Sequence, residues 1–147
     1  MSNFCTDIGW RSLNKHGEKL CGDRVEIVGD ESPVVVLADG LGSGVKANIL
    51  STLTAKIIST MASRDMSVEQ CVSAVVATLP VCPVRRIAYS TFTIMKISGK
   101  HDAPDDMEAE IIQYDNPRVI MLRSGKNFDY PVRTEIIDGK TILKSRV

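Results

Sequence analysis

Asp23 and Asp39 are the two side chains whose placement could do chemistry. Asp39 ends the run VVVLAD and is followed at once by GLGSG, within VVVLADGLGSGVKAN at residues 34–48. An apolar, β-branched run reads as a central strand covered on both faces. A strand of that kind delivers a carboxylate to the rim of a rigid sheet. The glycines behind it let backbone carbonyls and amides approach a ligand closely. Asp23 follows Cys21-Gly22 and opens the alternating segment Arg24-Val25-Glu26-Ile27-Val28, which reads as a half-buried strand. If the two strands pair antiparallel across the 29–32 turn, Arg24 lies opposite about Ala38. Asp23 and Asp39 then meet at one edge. Two carboxylates held that close repel each other unless a cation lies between them. A lone Asp23 would read as a turn aspartate after a glycine.

Three chemistries compete for the glycine loop. A P-loop requires G-x-x-x-x-G-K-[ST], and here Val45 precedes Lys46 and Ala47 follows it, so the match fails. A dinucleotide fingerprint is met by Gly40 and Gly42 but not by Val45, and Asp39 would repel a pyrophosphate. A hard-cation site fits the residue types: Mg²⁺ and Mn²⁺ take a few carboxylates, carbonyl oxygen and water. Asp23, Asp39 and the Gly40 carbonyl supply such a set, and Ser43 and Lys46 beside it are candidates to touch a phosphate.

The elements that must position this site follow from periodicity. Residues 4–13 read as a weakly patterned first strand, and Asn14-Lys15-His16-Gly17 as a turn. A helix starts beyond Gly44, with Ile49, Leu53, Ile57 and Met61 as its buried stripe, widened by Leu50 and Ile58. Ser67 and Gln70 form a capping box opening a second helix, whose inner face is Val72, Val75, Val76 and Leu79 and which Pro80 and Pro83 end. Residues 89–97 return to a strand pattern, and 98–106 read as a loop. Residues 108–114 and 118–123 read as paired strands around Asp115-Asn116-Pro117. Asp138-Gly139 is the strongest short hairpin signal in the chain. Strands, two helices, then strands again give an α+β fold, with helices packed on a mainly antiparallel sheet.

The GD…LADGLGSG pattern, with an amphipathic helix behind it, resembles the PPM class of phosphatases (the protein phosphatase 2C-like superfamily), in particular the bacterial sporulation stage II protein E type. Leu41 stands where that type carries Met. YSTFTI at 89–94 is similar to the strand after the second helix, and EIIQYDNPRVIMLRSGK at 110–126 to the family's hairpin. The likeness covers about residues 17–130. It implies a two-metal Mn²⁺ or Mg²⁺ site in which Asp39 bridges the metals, Asp23 helps hold one, and the Gly40 carbonyl binds directly or through water. It implies hydrolysis of phosphoserine or phosphothreonine by a metal-activated water. By analogy the partner is a phosphoprotein such as an anti-sigma factor antagonist, in bacterial signalling. The family carries further metal aspartates nearer the carboxyl end, whereas Asp138-Gly139 reads as a turn. The chain is therefore expected to be the amino-terminal part of the domain, one unit over 1–147, with an incomplete site. The alternatives are a non-catalytic partner-binding module of the same fold and a nucleotide-binding regulatory domain.

Bulk properties agree with this reading. Eighteen basic residues balance eighteen acidic ones among 147, which disfavours nucleic acid as the main partner. No apolar run reaches the ~18 residues of a membrane span, and the first residues lack a signal-peptide pattern, so the expectation is cytoplasmic. Cys5, Cys21, Cys71 and Cys82 match no zinc or redox spacing and read as small buried hydrophobes. His16 and His101 read as surface residues, Arg85-Arg86 as a solvated pair, and Trp10 as a core or edge anchor.

Overall fold

The structure, a computed structural model, describes residues 5–79, 90–100 and 103–147. Strands β1 (Asp23–Val28) and β2 (Val34–Gly40) lead into helices α1 (Gly44–Ala62) and α2 (Val68–Thr78). Strands β3 (Ser90–Lys100) and β4 (Ala103–Tyr114) follow. A small ribbon of β5 (Leu122–Arg123) and β6 (Lys126–Asn127) comes next, then β7 (Arg133–Ile137) and β8 (Lys140–Arg146). The main sheet has the order β1-β2-β3-β4-β8-β7, and every neighbouring pair is antiparallel. The fold is α+β, as the grouping of elements indicated. No helix among the described residues is long and apolar enough to cross a membrane.

Strand β2 alternates strictly. Val34, Val36, Ala38 and Gly40 are buried, while Leu37 and Asp39 are exposed on the opposite face. The buried set joins Phe92, Ile94, Ile112 and Ile142 from the strands, and Ala55, Ile58, Cys71, Val72 and Val75 from the helices, in one core. Phe92 and Tyr114 stack tilted within it, 5.6 Å between centroids. The run that read as covered on both faces is thus covered fully on one.

Helix α1 corrects the expected stripe. Ile49 and Leu53 are exposed, Ile57 and Met61 are half-packed, and the fully buried face is Ala47, Ser51, Thr54, Ala55, Ile58 and Ser59. Two causes combine. A strict four-residue repeat advances by about 40° per step, so such a stripe winds off any one face. The small residues also let the helix press close to the sheet, and their hydroxyls donate to helix carbonyls: Ser51 to Asn48, Thr54 to Leu50 and Ser59 to Lys56. Three polar side chains become compatible with the interior in this way.

Helix α2 matches its pattern. Ser67 caps it and the reciprocal Gln70 bond is made. Pro80 and Pro83 lie outside the described residues, as do Arg85, Arg86, Cys82 and His101. Asp138 and Gly139, both at positive φ, turn β7 into β8.

Other expectations fail. Residues 5–13 form no strand, and Trp10 is 60% exposed rather than an anchor. The segment 98–106 is mostly strand rather than loop, with β3 and β4 meeting at Lys100 and Ala103. Strand β4 pairs with β3 and β8, not with residues 118–123, because Pro117 removes a backbone donor and Gln113 draws the chain aside, donating to the Pro117 carbonyl at 2.6 Å. Of the described cysteines, Cys71 is buried, Cys21 is half-buried and Cys5 is exposed; all three are free thiols.

Candidate functional site

The β1–β2 hairpin sets the register that the two aspartates need. Gly29 turns it at φ +84°, where an added Cβ would lie 2.8 Å from the Ser32 carbonyl oxygen. From that turn the strands pair without a bulge, Arg24 facing Ala38 and Asp23 facing Asp39. Directly opposed residues have Cβ atoms about 4.5–5.5 Å apart. The two carboxylates therefore meet at one end of the sheet, on the face away from the helices.

Two glycines bring α1 onto this end. The Gly40 amide donates to the Gly22 carbonyl at 3.0 Å. A Cβ on Gly40 would come within 2.0 Å of the Ala47 carbonyl oxygen, and one on Gly22 within 3.3 Å of the Ala47 side chain. Asn48 donates to the Cys21 carbonyl at 2.8 Å, tying the helix to the approach to β1. Gly40 is thus demanded by packing.

The Asp39 carboxyl is pushed above the ordinary carboxylate value of 3.8, first by loss of hydration, then by the charge of Asp23 and a hydrogen bond between the two side chains. A second carboxylate at this distance disfavours the charged form of Asp39 unless a cation lies between them. Among the described residues no cluster of three or more His, Cys, Asp or Glu side chains is arranged to hold a metal. A closed protein cage is absent, but Mg²⁺ is ordinarily held through one or two carboxylates and keeps several waters. Two facing carboxylates fit that demand.

Ser43 stands at the N-cap of α1 with extended backbone and makes no capping bond. Its hydroxyl instead donates to Glu18 Oε1 at 2.9 Å. Glu18 also leans on Gly44, where an added Cβ would meet Oε2 at 2.7 Å. The first turn of α1 contains no acidic residue, so Glu18 brings negative charge to the helix start from outside. Sequence reading missed Glu18. It lies 25 residues from Ser43 in a polar stretch without periodicity, and no spacing rule joins the two. Lys46 is exposed in the same first turn, and His16 is exposed well before β1.

The fold matches that of solved phosphatase structures of the protein phosphatase 2C type, and the chain spans less than two thirds of the length of each relative it matches. A solved structure of RsbX in complex with magnesium matches with a TM-score of 0.64 at 24% identity, covering 92% of this chain and 64% of that one. The PP2C phosphatase domain of SpoIIE from Bacillus subtilis, solved with a fragment of its regulatory domain, matches with a TM-score of 0.67 at 16% identity, covering 89% of this chain and 39% of that one. In sequence, the chain is 37% identical over 62 residues to the phosphoserine phosphatase RsbX of Bacillus subtilis (strain 168). That match spans 40% of this chain and 31% of the relative. No protein-family model matches the sequence.

Proposed function

We propose that this chain is the amino-terminal part of a metal-dependent phosphoserine/phosphothreonine protein phosphatase, with Asp23 and Asp39 as its divalent-cation ligands. The observation that carries the reading is the direct pairing of Asp23 with Asp39 at the sheet end, in a fold shared with RsbX and SpoIIE. A Mn²⁺ or Mg²⁺ ion there would activate water and offset charge on the phosphoryl group. The residues of the chain do the holding. Asp39 presents a carboxylate whose charge is unfavourable until a cation arrives, and Asp23 faces it from β1. Gly40 offers its carbonyl and lets α1 close behind. A second cation, as the resemblance implies, would share Asp39.

Ser43 and Lys46 are the proposed phosphate contacts. For Ser43 this requires Glu18 to release the hydroxyl, because an anionic side chain now occupies that side of the helix start. Until that release, the same carboxylate disfavours any phosphate at this turn. Substrates are proposed to be small phosphorylated regulators, on the pattern of anti-sigma factor antagonists, in the cytoplasm. One alternative is a partner-binding module of the same fold without turnover.

The test is Mn²⁺-stimulated hydrolysis of a phosphoserine peptide by this chain and by any longer protein containing it, each beside Asp39→Asn. Metal-stimulated turnover that Asp39→Asn abolishes is expected. Turnover that ignores both the metal and the substitution would refute the reading. Metal binding without turnover in either protein would select the non-catalytic module.

A further inference from the structure

The sheet register continues the row of side chains beyond the two aspartates. Asp39 faces Thr91 across the β2–β3 ladder as directly as it faces Asp23 across β1–β2. Thr91 lies on the same face, since its neighbour Phe92 points into the helix-side core. The Thr91 hydroxyl donates its single proton to Asn116 Oδ1 at 2.5 Å. Asn116 is held in turn, its Nδ2 donating to Thr93 Oγ1 at 3.1 Å. Thr93 also receives Gln113 Nε2 at 3.5 Å, and Gln113 is fixed by the Pro117 carbonyl.

A hydroxyl has one proton to give and two lone pairs. With the proton committed to Asn116, Thr91 can offer Asp39's end of the sheet only an acceptor. With both carboxyls ionised, Asp23, Asp39 and Thr91 form a row of acceptor oxygens on one face. Such a row suits a hydrated cation, whose waters have strongly polarised protons to give.

Building on the cation reading above, we propose that Thr91 accepts a hydrogen bond from a water hydrating the cation between Asp23 and Asp39. Asn116 is the positioning residue that keeps the hydroxyl turned to accept it. Both residues act through hydration rather than by binding the ion. Outer hydrogen bonds of this kind change metal affinity by about 10–100-fold when removed.

The experiment is calorimetric titration of the chain with Mn²⁺ at fixed pH, with circular dichroism of each metal-free variant. Thr91→Val removes the hydroxyl at nearly constant shape, and Thr91→Ser restores it. Asn116→Ala removes the group that orients it. Thr91→Val and Asn116→Ala are expected to weaken Mn²⁺ binding by about tenfold, and Thr91→Ser to stay within a factor of about two or three of the wild type. A purely structural role for Thr91 would leave the affinities of folded Val and Ser variants equal. If Thr91→Val does not fold, the comparison of Asn116→Ala with Thr91→Ser carries the same test, and equal affinities there overturn the proposal. Unchanged Mn²⁺ affinity in Thr91→Val, with binding lost in Asp39→Asn, overturns this inference alone. A wild type that takes up no Mn²⁺, or an Asp39→Asn variant that binds it equally well, overturns the cation reading and this inference together.

Discussion

Carboxylates gather at two places on this sheet, and the sheet treats them oppositely. Near β8, Glu69 of α2 pairs with Lys144, and Glu110 of β4 lies 3.4 Å from Lys144 and 3.5 Å from Arg146, which also reaches Glu108 at 3.6 Å. Lys144 holds the Glu69 carboxyl below its ordinary value through their hydrogen bond. Burial alone would lower the Lys144 ammonium, but the two glutamates outweigh it and raise it. At the β1–β2 end, Asp23 and Asp39 face each other, and loss of hydration followed by the neighbouring charge raises Asp39. The first cluster is neutralised from within and serves the fold. The second is left uncompensated by its own partner, and a rigid hairpin keeps it so. Charge repulsion retained at a sheet end is consistent with the proposed cation site.

The largest expected effect comes from Gly40→Ala. The new methyl group would overlap the Ala47 carbonyl, which is backbone and cannot swing aside. The start of α1 must move off the β2 end, at about 3 kcal/mol, near the top of the range for overpacking. Urea denaturation measures the loss, and Mn²⁺ binding should disappear with it. A variant as stable as the wild type would mean that α1 does not brace the carboxylate end.

Next is Lys144→Met, aimed at the neutralised cluster. Lys144 and Glu110 have side chains only 16% and 14% exposed. Removing the ammonium leaves Glu110 with Arg146 alone and Glu69 with no ion-pair partner among the described residues, at roughly 1–3 kcal/mol. Thermal unfolding should detect this while Mn²⁺ affinity stays unchanged. A loss of Mn²⁺ binding would erase the contrast between the clusters.

Asp39→Asn should act in the reverse direction. A carboxyl raised above its unfolded value of 3.8 binds protons more readily when folded, so the metal-free protein loses stability as pH rises through that window. The amide removes this loss. Near pH 7 the metal-free variant should melt slightly higher than the wild type, and Mn²⁺ should raise the melting temperature of the wild type alone. A variant that melts lower without metal would show that Asp39 is a structural charge.

How much of this was legible in the sequence depends on the range of the interaction. The pairing of Asp23 with Asp39 could be read because it lies within one hairpin, where a short turn and its two flanking strands fix the register. The capping box at Ser67 and the Asp138-Gly139 turn were local in the same way. What could not be read depended on contacts between distant segments. The burial of Ser51 and Thr54 on α1 depends on hydroxyls satisfied inside the helix and on a close approach to the sheet, neither of which hydropathy records. Glu18 at Ser43 and Asn116 at Thr91 join residues 25 apart, through loops whose course is set by the packed sheet.

The smallest expected effect lies at Glu26, between the two clusters in character. It sits on β1, three residues from Asp23, yet it is compensated like the β8 carboxylates: Lys56 and Arg24 each reach it at 2.8 Å. Burial pushes its carboxyl up, but the hydrogen bonds and charges of Lys56 and Arg24 together carry it below the ordinary 4.5. Its contribution is therefore present above the unfolded value and is lost as pH falls through the lower, folded one. Both cations are about half exposed, so solvent screens the pair and the contribution stays below about 1 kcal/mol. Glu26→Gln should cost little at pH 7 and flatten the loss of stability on acidification below pH 4.5. An acid profile identical to that of the wild type would mean that Lys56 and Arg24 gain nothing from the carboxylate, and that compensation on β1 is geometric only.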